Sequence, residues 1–157
     1  MPKFSTFYPK QMKIEQYKKI FGTQEIVNLR GKNLTDEDAL VIGELLKTNN
    51  TLKTLSLGHN YIITDVQSIG EALNTNNTLW HLSLGNNNIT DVQSIGDGLK
   101  TNNTLMKLEL DNNNITDDSG IQSIIDGLKT NNTLNKLYLG ENQLSDNMKS
   151  LLKAIQE

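Results

Sequence analysis

The chain has 157 residues, 15 of them basic and 18 acidic for a net charge of −3, with 23 Leu, 21 Asn and no Cys. That length suits one domain able to bury a core, and its aliphatic content sets it apart from disordered chains. Without Cys there can be no disulfide and no Cys-based zinc site; the acidic balance argues against nucleic acid, and no run of 18 apolar residues offers a membrane span.

Residues 1–24 differ from the rest. They hold five Lys and one acid, and Phe4, Phe7, Tyr8, Tyr17 and Phe21 cluster there. The opening MPKFSTFYPKQMK lacks the apolar stretch of a secretory signal. Residues 10–21 predict an amphipathic helix with Ile14, Tyr17 and Phe21 on one face and Lys on the wet side. A membrane-surface helix would look similar, but five aromatics suit a cap over exposed leucines. Residues 1–24 are therefore read as an N-terminal helical cap, and a membrane partner is not expected.

From residue 25 the sequence copies itself, the signature of a repeat architecture. The blocks begin TNNTLKTLSLGHNYI, TNNTLWHLSLGNNNI, TNNTLMKLELDNNNI and TNNTLNKLYLGENQL. Each fills L-x-x-L-x-L-x-x-N-x-[IL], beginning with Leu52, Leu55, Leu57, Asn60 and Ile62 and ending with Leu134, Leu137, Leu139, Asn142 and Leu144. The column Asn60, Asn87, Asn113, Asn142 is spaced by 27, 26 and 29 residues. A degenerate copy precedes these, with Val27, Leu29 and Leu34 in place and Lys32 where Asn is due. Residues 25–157 thus read as one degenerate and four full repeats.

Within each unit the x-L-x-L alternation predicts a short strand with one buried face. The spacing then turns helical: Ala39, Ile42, Gly43, Leu46; Val66, Ile69, Gly70, Leu73; Val92, Ile95, Gly96, Leu99; Ile121, Ile124, Ile125, Leu128; Met148, Leu151, Leu152, Ile155. Asp36, Asp65, Asp91, Asp117 and Asp146 stand where a carboxylate suits a helix N-terminus. The recurrent Gly is expected to let helix and sheet approach closely. The Asn column predicts a buried ladder in which side-chain amides satisfy backbone groups left unpaired by a tight turn.

The pattern resembles leucine-rich-repeat proteins of the ribonuclease-inhibitor-like class over residues 25–157. The Asn-rich TNNTL units also look like repeats in effectors of intracellular bacteria. The resemblance implies an α/β solenoid, a short horseshoe with a parallel sheet on its concave face and helices on its convex face. It further implies protein binding as the activity.

Local motifs for chemistry are missing. DNNNITDDSG fails the spacing of a calcium loop, and the nucleotide, hydrolase and zinc-protease signatures are absent. His59 and His81 fall on different columns, so metal ligation is not expected. The chain is read as a non-enzyme without cofactors. Seven Asn-x-Ser/Thr sequons arise from the repeat itself: Asn33, Asn49, Asn76, Asn88, Asn102, Asn114 and Asn131. A cytoplasmic setting fits these features, the host cytosol if the chain is a translocated effector.

Solvent-facing columns should carry recognition. Large and charged side chains gather on them in the later repeats: Trp80, His81, Met106, Lys107, Glu109, Asp111, Lys136, Tyr138 and Glu141, with His59 and Tyr61 nearer the start. Trp and Tyr are enriched at binding hot spots. The reading is a non-catalytic module that recognises one protein through its concave face and masks or inhibits it, the partner being an enzyme in one version. The alternatives are an assembly-capping protein that uses its open repeat end, with weak self-association through the edge of the last strand, or a regulator of a small GTPase.

Overall fold

The computed structural model describes residues 10–61, 63–116 and 119–156. Ile62, Asp117, Phe4, Phe7, Tyr8 and the side chain of Ile155 lie outside the described residues. Helices and strands alternate: α1 (Lys10–Phe21), β1 (Ile26–Asn28), α2 (Asp36–Leu46), β2 (Thr54–Ser56), α3 (Gln67–Leu73), β3 (His81–Ser83), α4 (Gln93–Leu99), β4 (Lys107–Glu109), α5 (Ser119–Leu128), β5 (Lys136–Tyr138) and α6 (Asp146–Gln156). The strands form one parallel sheet in chain order, and each helix packs on the next. This is a leucine-rich-repeat solenoid.

The strands are three residues long, and the leucine after each of the first four still donates to the next strand, as Leu29 N does to Ser56 O and Leu57 N to Ser83 O, both at 2.8 Å. Val27, Leu55, Leu82 and Leu108 align across the sheet and are buried, with Leu29, Leu57, Leu84 and Leu110 beside them. The core runs as a rod between sheet and helices, which explains why one repeat alone could not close it.

Two Asn columns stitch the rod. Asn87 Nδ2 donates to Leu57 O (3.2 Å) and Leu84 O (2.9 Å), while its Oδ1 accepts from the Asn60 amide at 3.1 Å. Asn60, Asn113 and Asn142 make equivalent bonds across their own repeat boundaries. The second column comes from the TNNTL that begins each repeat block. Asn76 Nδ2 donates to Leu46 O (2.8 Å) and Asn49 O (3.0 Å), and its Oδ1 accepts from Leu79 N (2.8 Å). Asn102 and Asn131 repeat the arrangement one unit on. Asn76 and Asn102 are buried and Asn131 half-buried, so three of the seven sequons are structural amides in the folded chain.

Several expectations are corrected. Gly43, Gly70 and Gly96 serve helix–helix contact rather than helix–sheet contact: a Cβ on Gly70 would lie 2.6 Å from Ile95 N of the next helix. Asp36 does not cap α2. Thr35 and Asp38 do so reciprocally, whereas Asp36 accepts from Thr64 N (2.7 Å) and Asp65 N (3.0 Å) of the following repeat. Lys13 is not on the wet side; it is buried between Glu37 (2.9 Å) and Asp38 (3.0 Å). Burial pulls its pKa down, but those two carboxylates outweigh burial and leave it raised. Leu151, expected on the packed face of α6, is exposed, while Leu152 is buried.

Candidate functional site

Parallel register places the solvent-facing columns side by side. Ile26, Thr54, His81, Lys107 and Lys136 align across the sheet, as do Asn28, Ser56, Ser83, Glu109 and Tyr138. The central residue of each strand faces the core, so its two neighbours face the concave side.

One cluster spans β3 to β5. Met106 N donates to Trp80 O at 2.9 Å, which sets the two side chains on adjacent rungs, 43% and 45% exposed respectively. The Trp80 ring lies 6.4 Å from that of His81. Glu109 is the electrostatic centre: its Oε1 pairs with Lys107 and lies 3.3 Å from His81 Nε2. Burial pushes the Glu109 carboxyl up, yet hydrogen bonds from Lys107 and Ser83 and the charges of Lys107 and His81 hold it below its ordinary value. The hydrogen bond to Glu109 raises Lys107 in turn, and its Nζ sits 5.4 Å from the centre of the Tyr138 ring, within cation–π reach. Lys136 is exposed and makes no ion pair among the described residues. Asp111 and Glu141 lie at the far ends of β4 and β5, Asp111 against Gly85 and Glu141 exposed in a left-handed turn (φ 54°).

His59 and Tyr61 are not part of that cluster. They join Arg30 and Lys32 around a cleft of about 490 Å³ at the other end of the face, lined also by Asn28 and Gly31. Arg30 Nη2 approaches His59 Nε2 at 2.6 Å, and His59 Nδ1 lies 3.0 Å from the Tyr61 hydroxyl, the two rings meeting edge to face. The 27-residue interval, against 26 in the next unit, marks one extra residue in this turn. Ile63 consequently occupies the core place that Ile89 holds in the next repeat: Asn88 N donates to Ile63 O as Asn114 N donates to Ile89 O. Sequence reading put Ile62 there and missed Arg30 and Lys32; Lys32 standing in the Asn column was the available signal.

On the convex side a cleft of about 590 Å³ is lined by Asp65, Glu71, Asp91 and Asp97 among others. Asp97 is held at about 2 by hydrogen bonds from Lys100, Ser123 and Gln93. Its neighbours are solvated ion pairs and helix-end bonds, so we assign it no role in recognition. Among the described residues no cluster of His, Cys, Asp and Glu could hold a metal, and no helix is long and apolar enough to cross a membrane.

The fold is that of a leucine-rich-repeat solenoid that exposes aromatic and charged side chains along one side of its sheet. The chain superposes on the actin-binding site 2 of leiomodin-1 with a TM-score of 0.76 and 24% identity, over 96% of this chain and 89% of that one. The tropomodulin C-terminal domain of Caenorhabditis elegans gives 0.71 and 13%, over 95% and 92%. No family model matches the chain, and no curated protein matches it in sequence.

Proposed function

We propose that this chain is a non-catalytic module that binds one protein partner through its concave face, with contact centred on β3 to β5. The observation that carries the reading is that Trp80 and Met106, just before β3 and β4, and Tyr138 at the end of β5 are each over 40% exposed around a preformed Lys107–Glu109 pair. A scaffold has no folding reason to spend large apolar side chains there, whereas a hot spot needs rigid aromatic anchors with charges around them. A solved structure of like fold and like length is itself an actin-binding site, which supports a protein as the ligand class. In this reading the units are of the ribonuclease-inhibitor-like type, and masking of the partner's working surface is the expected consequence.

The test pairs affinity with melting. Trp80→Ala should weaken binding to the isolated partner by about 2 kcal/mol or more while leaving the melting temperature near that of the parent. If Trp80→Ala, Tyr138→Ala and Lys107→Glu all bind as the parent does, the concave-face reading fails.

A second reading has its own observation. Leu134, Leu137, Leu139 and Met148 are only partly buried and Leu151 is exposed, so the edge of β5 could serve an assembly role instead. Leu151→Lys would then abolish binding and the concave substitutions would not.

A further inference from the structure

The cleft at the N-terminal end of the face is built differently from the rest of the solenoid. In the repeats that follow, the place of Arg30 is held by Gly58, Gly85, Asp111 and Gly140, and the place of Lys32 by the ladder asparagines. Two cations are therefore brought to one turn at the unit whose Asn position is held by Lys. No carboxylate lines the cleft, and neither cation makes an ion pair among the described residues. A pair of positive charges without a counter-anion is unusual on a net acidic chain.

Hydrogen bonding sharpens the chemistry. A guanidinium can only donate, so His59 Nε2 accepts from Arg30 and Nδ1 carries the proton, donating to the Tyr61 oxygen. Tyr61 then keeps its own O–H to give. The Asn28 oxygen is taken by the Arg30 amide at 3.0 Å, which leaves its NH₂ as a donor. The groups that line the cleft thus offer donors from Arg30, Lys32, Tyr61 and Asn28.

Backbone geometry adds an independent observation. His59 (φ 58°) and Tyr61 (φ 54°) both sit in the left-handed region, which His adopts as Asn and Asp do but which is unusual for a residue as bulky as Tyr. Asn86 and Asn112 hold the position of His59 in the next two repeats. The left-handed turn at His59 is shared by Gly31, Asn86, Asn112 and Glu141, whereas that at Tyr61 recurs among the described residues only at Asn33, so Tyr61 alone carries strain that the later repeats lack.

We propose that the Arg30–Lys32–His59–Tyr61 cleft is a binding site for a phosphoryl group, a dianion matched to its two unpaired cations. Arg30 supplies the forked donor that suits phosphate, Lys32 a second charge, and His59 holds the guanidinium in place. The site is separate from the proposed contact on β3 to β5.

The experiment is calorimetric titration of the whole chain with inorganic phosphate, adenosine monophosphate and a short phosphoserine peptide, each against its unphosphorylated counterpart or chloride. At least one phosphoryl probe should bind saturably, and the tightest of the three names the source. Arg30→Gln and Lys32→Gln should each weaken that probe by about tenfold, the worth of one charge-assisted hydrogen bond. His59→Asn should weaken it less, since it removes only the group that holds the guanidinium in place. Trp80→Ala should change nothing here, which separates this site from the concave-face reading. Absence of saturable binding by every probe overturns the proposal, and so does parental affinity in Arg30→Gln and Lys32→Gln.

Discussion

The two ends of the solenoid invert what their sequences promise. The first repeat is degenerate, yet Val27, Leu29 and Leu34 are at most 4% exposed. The last repeat fits the pattern without error, yet Leu134, Leu137 and Leu139 are only partly buried. The difference is a neighbour. Both β1 and β5 are edge strands, but helix α1 covers the first unit with Tyr17 and Phe21 and anchors itself through Lys13, while α6 packs more loosely on α5 than α5 does on α4. Fidelity to a repeat sets what a side chain can bury; the adjoining unit sets whether it does.

Removing the cap's anchors should give the largest losses. Lys13→Ala would leave the Asp38 carboxylate, 6% exposed, with its hydrogen bonds from Thr35 but without its buried cation, and breaking a buried pair in this way costs up to about 3–5 kcal/mol. Tyr17→Ala should cost a similar amount, roughly 3–5 kcal/mol, through the cavity it leaves. Denaturant unfolding measures both, and a loss under about 1 kcal/mol in each would mean that α1 does not close the rod.

Next in size is the paired comparison of Leu29→Ala and Leu139→Ala. The first should lose roughly 2–5 kcal/mol and the second clearly less, because its site is already half solvated. Equal losses would erase the contrast between the ends.

The asparagines should follow the same gradient. Asn87→Ala and Asn102→Ala should each cost about 1–3 kcal/mol by leaving buried carbonyls unpaired, and Asn142→Ala, at a half-buried rung, less than either. Ser83→Ala, away from the core, should stay within about 0.5 kcal/mol.

The smallest effect is electrostatic. Asp97 titrates at about 2 in the folded chain, against about 3.9 when unfolded. Its folded value is depressed, so its contribution is present above about pH 4 and fades as the pH falls toward 2. Ser123→Ala, which removes a 2.8 Å bond to Asp97 from α5, should shift the titration upward as read by carboxyl chemical shift. An unchanged titration would show that Lys100 and Gln93 hold the carboxylate alone.

The register of the sheet was legible because leucines two apart leave one alignment for parallel strands. The same alignment sets Trp80 beside Met106 and Lys107 beside Lys136. The second asparagine column was not legible: in TNNTL two adjacent amides look alike, and only the chain's path shows that Asn76 points inward and Asn77 outward. The role of the helix glycines was equally hidden, since spacing shows that a helix is approached closely but not by what. The cleft at Arg30 escaped because it depends on one inserted residue whose place within the turn the interval does not reveal.

That insertion has a counterpart on the opposite face. From Asn49 to Asn60, Asn76 to Asn87, Asn102 to Asn113 and Asn131 to Asn142 the distance is always 11 residues. Every change in repeat length falls on the return path instead: the extra residue beside Tyr61, and the growth of the helix from 7 residues in α4 to 10 in α5. The stretch clamped between the two amide columns cannot change length without breaking both. A lineage of such chains would therefore diversify its sheet surface by exchanging side chains and its outer surface by adding or removing residues.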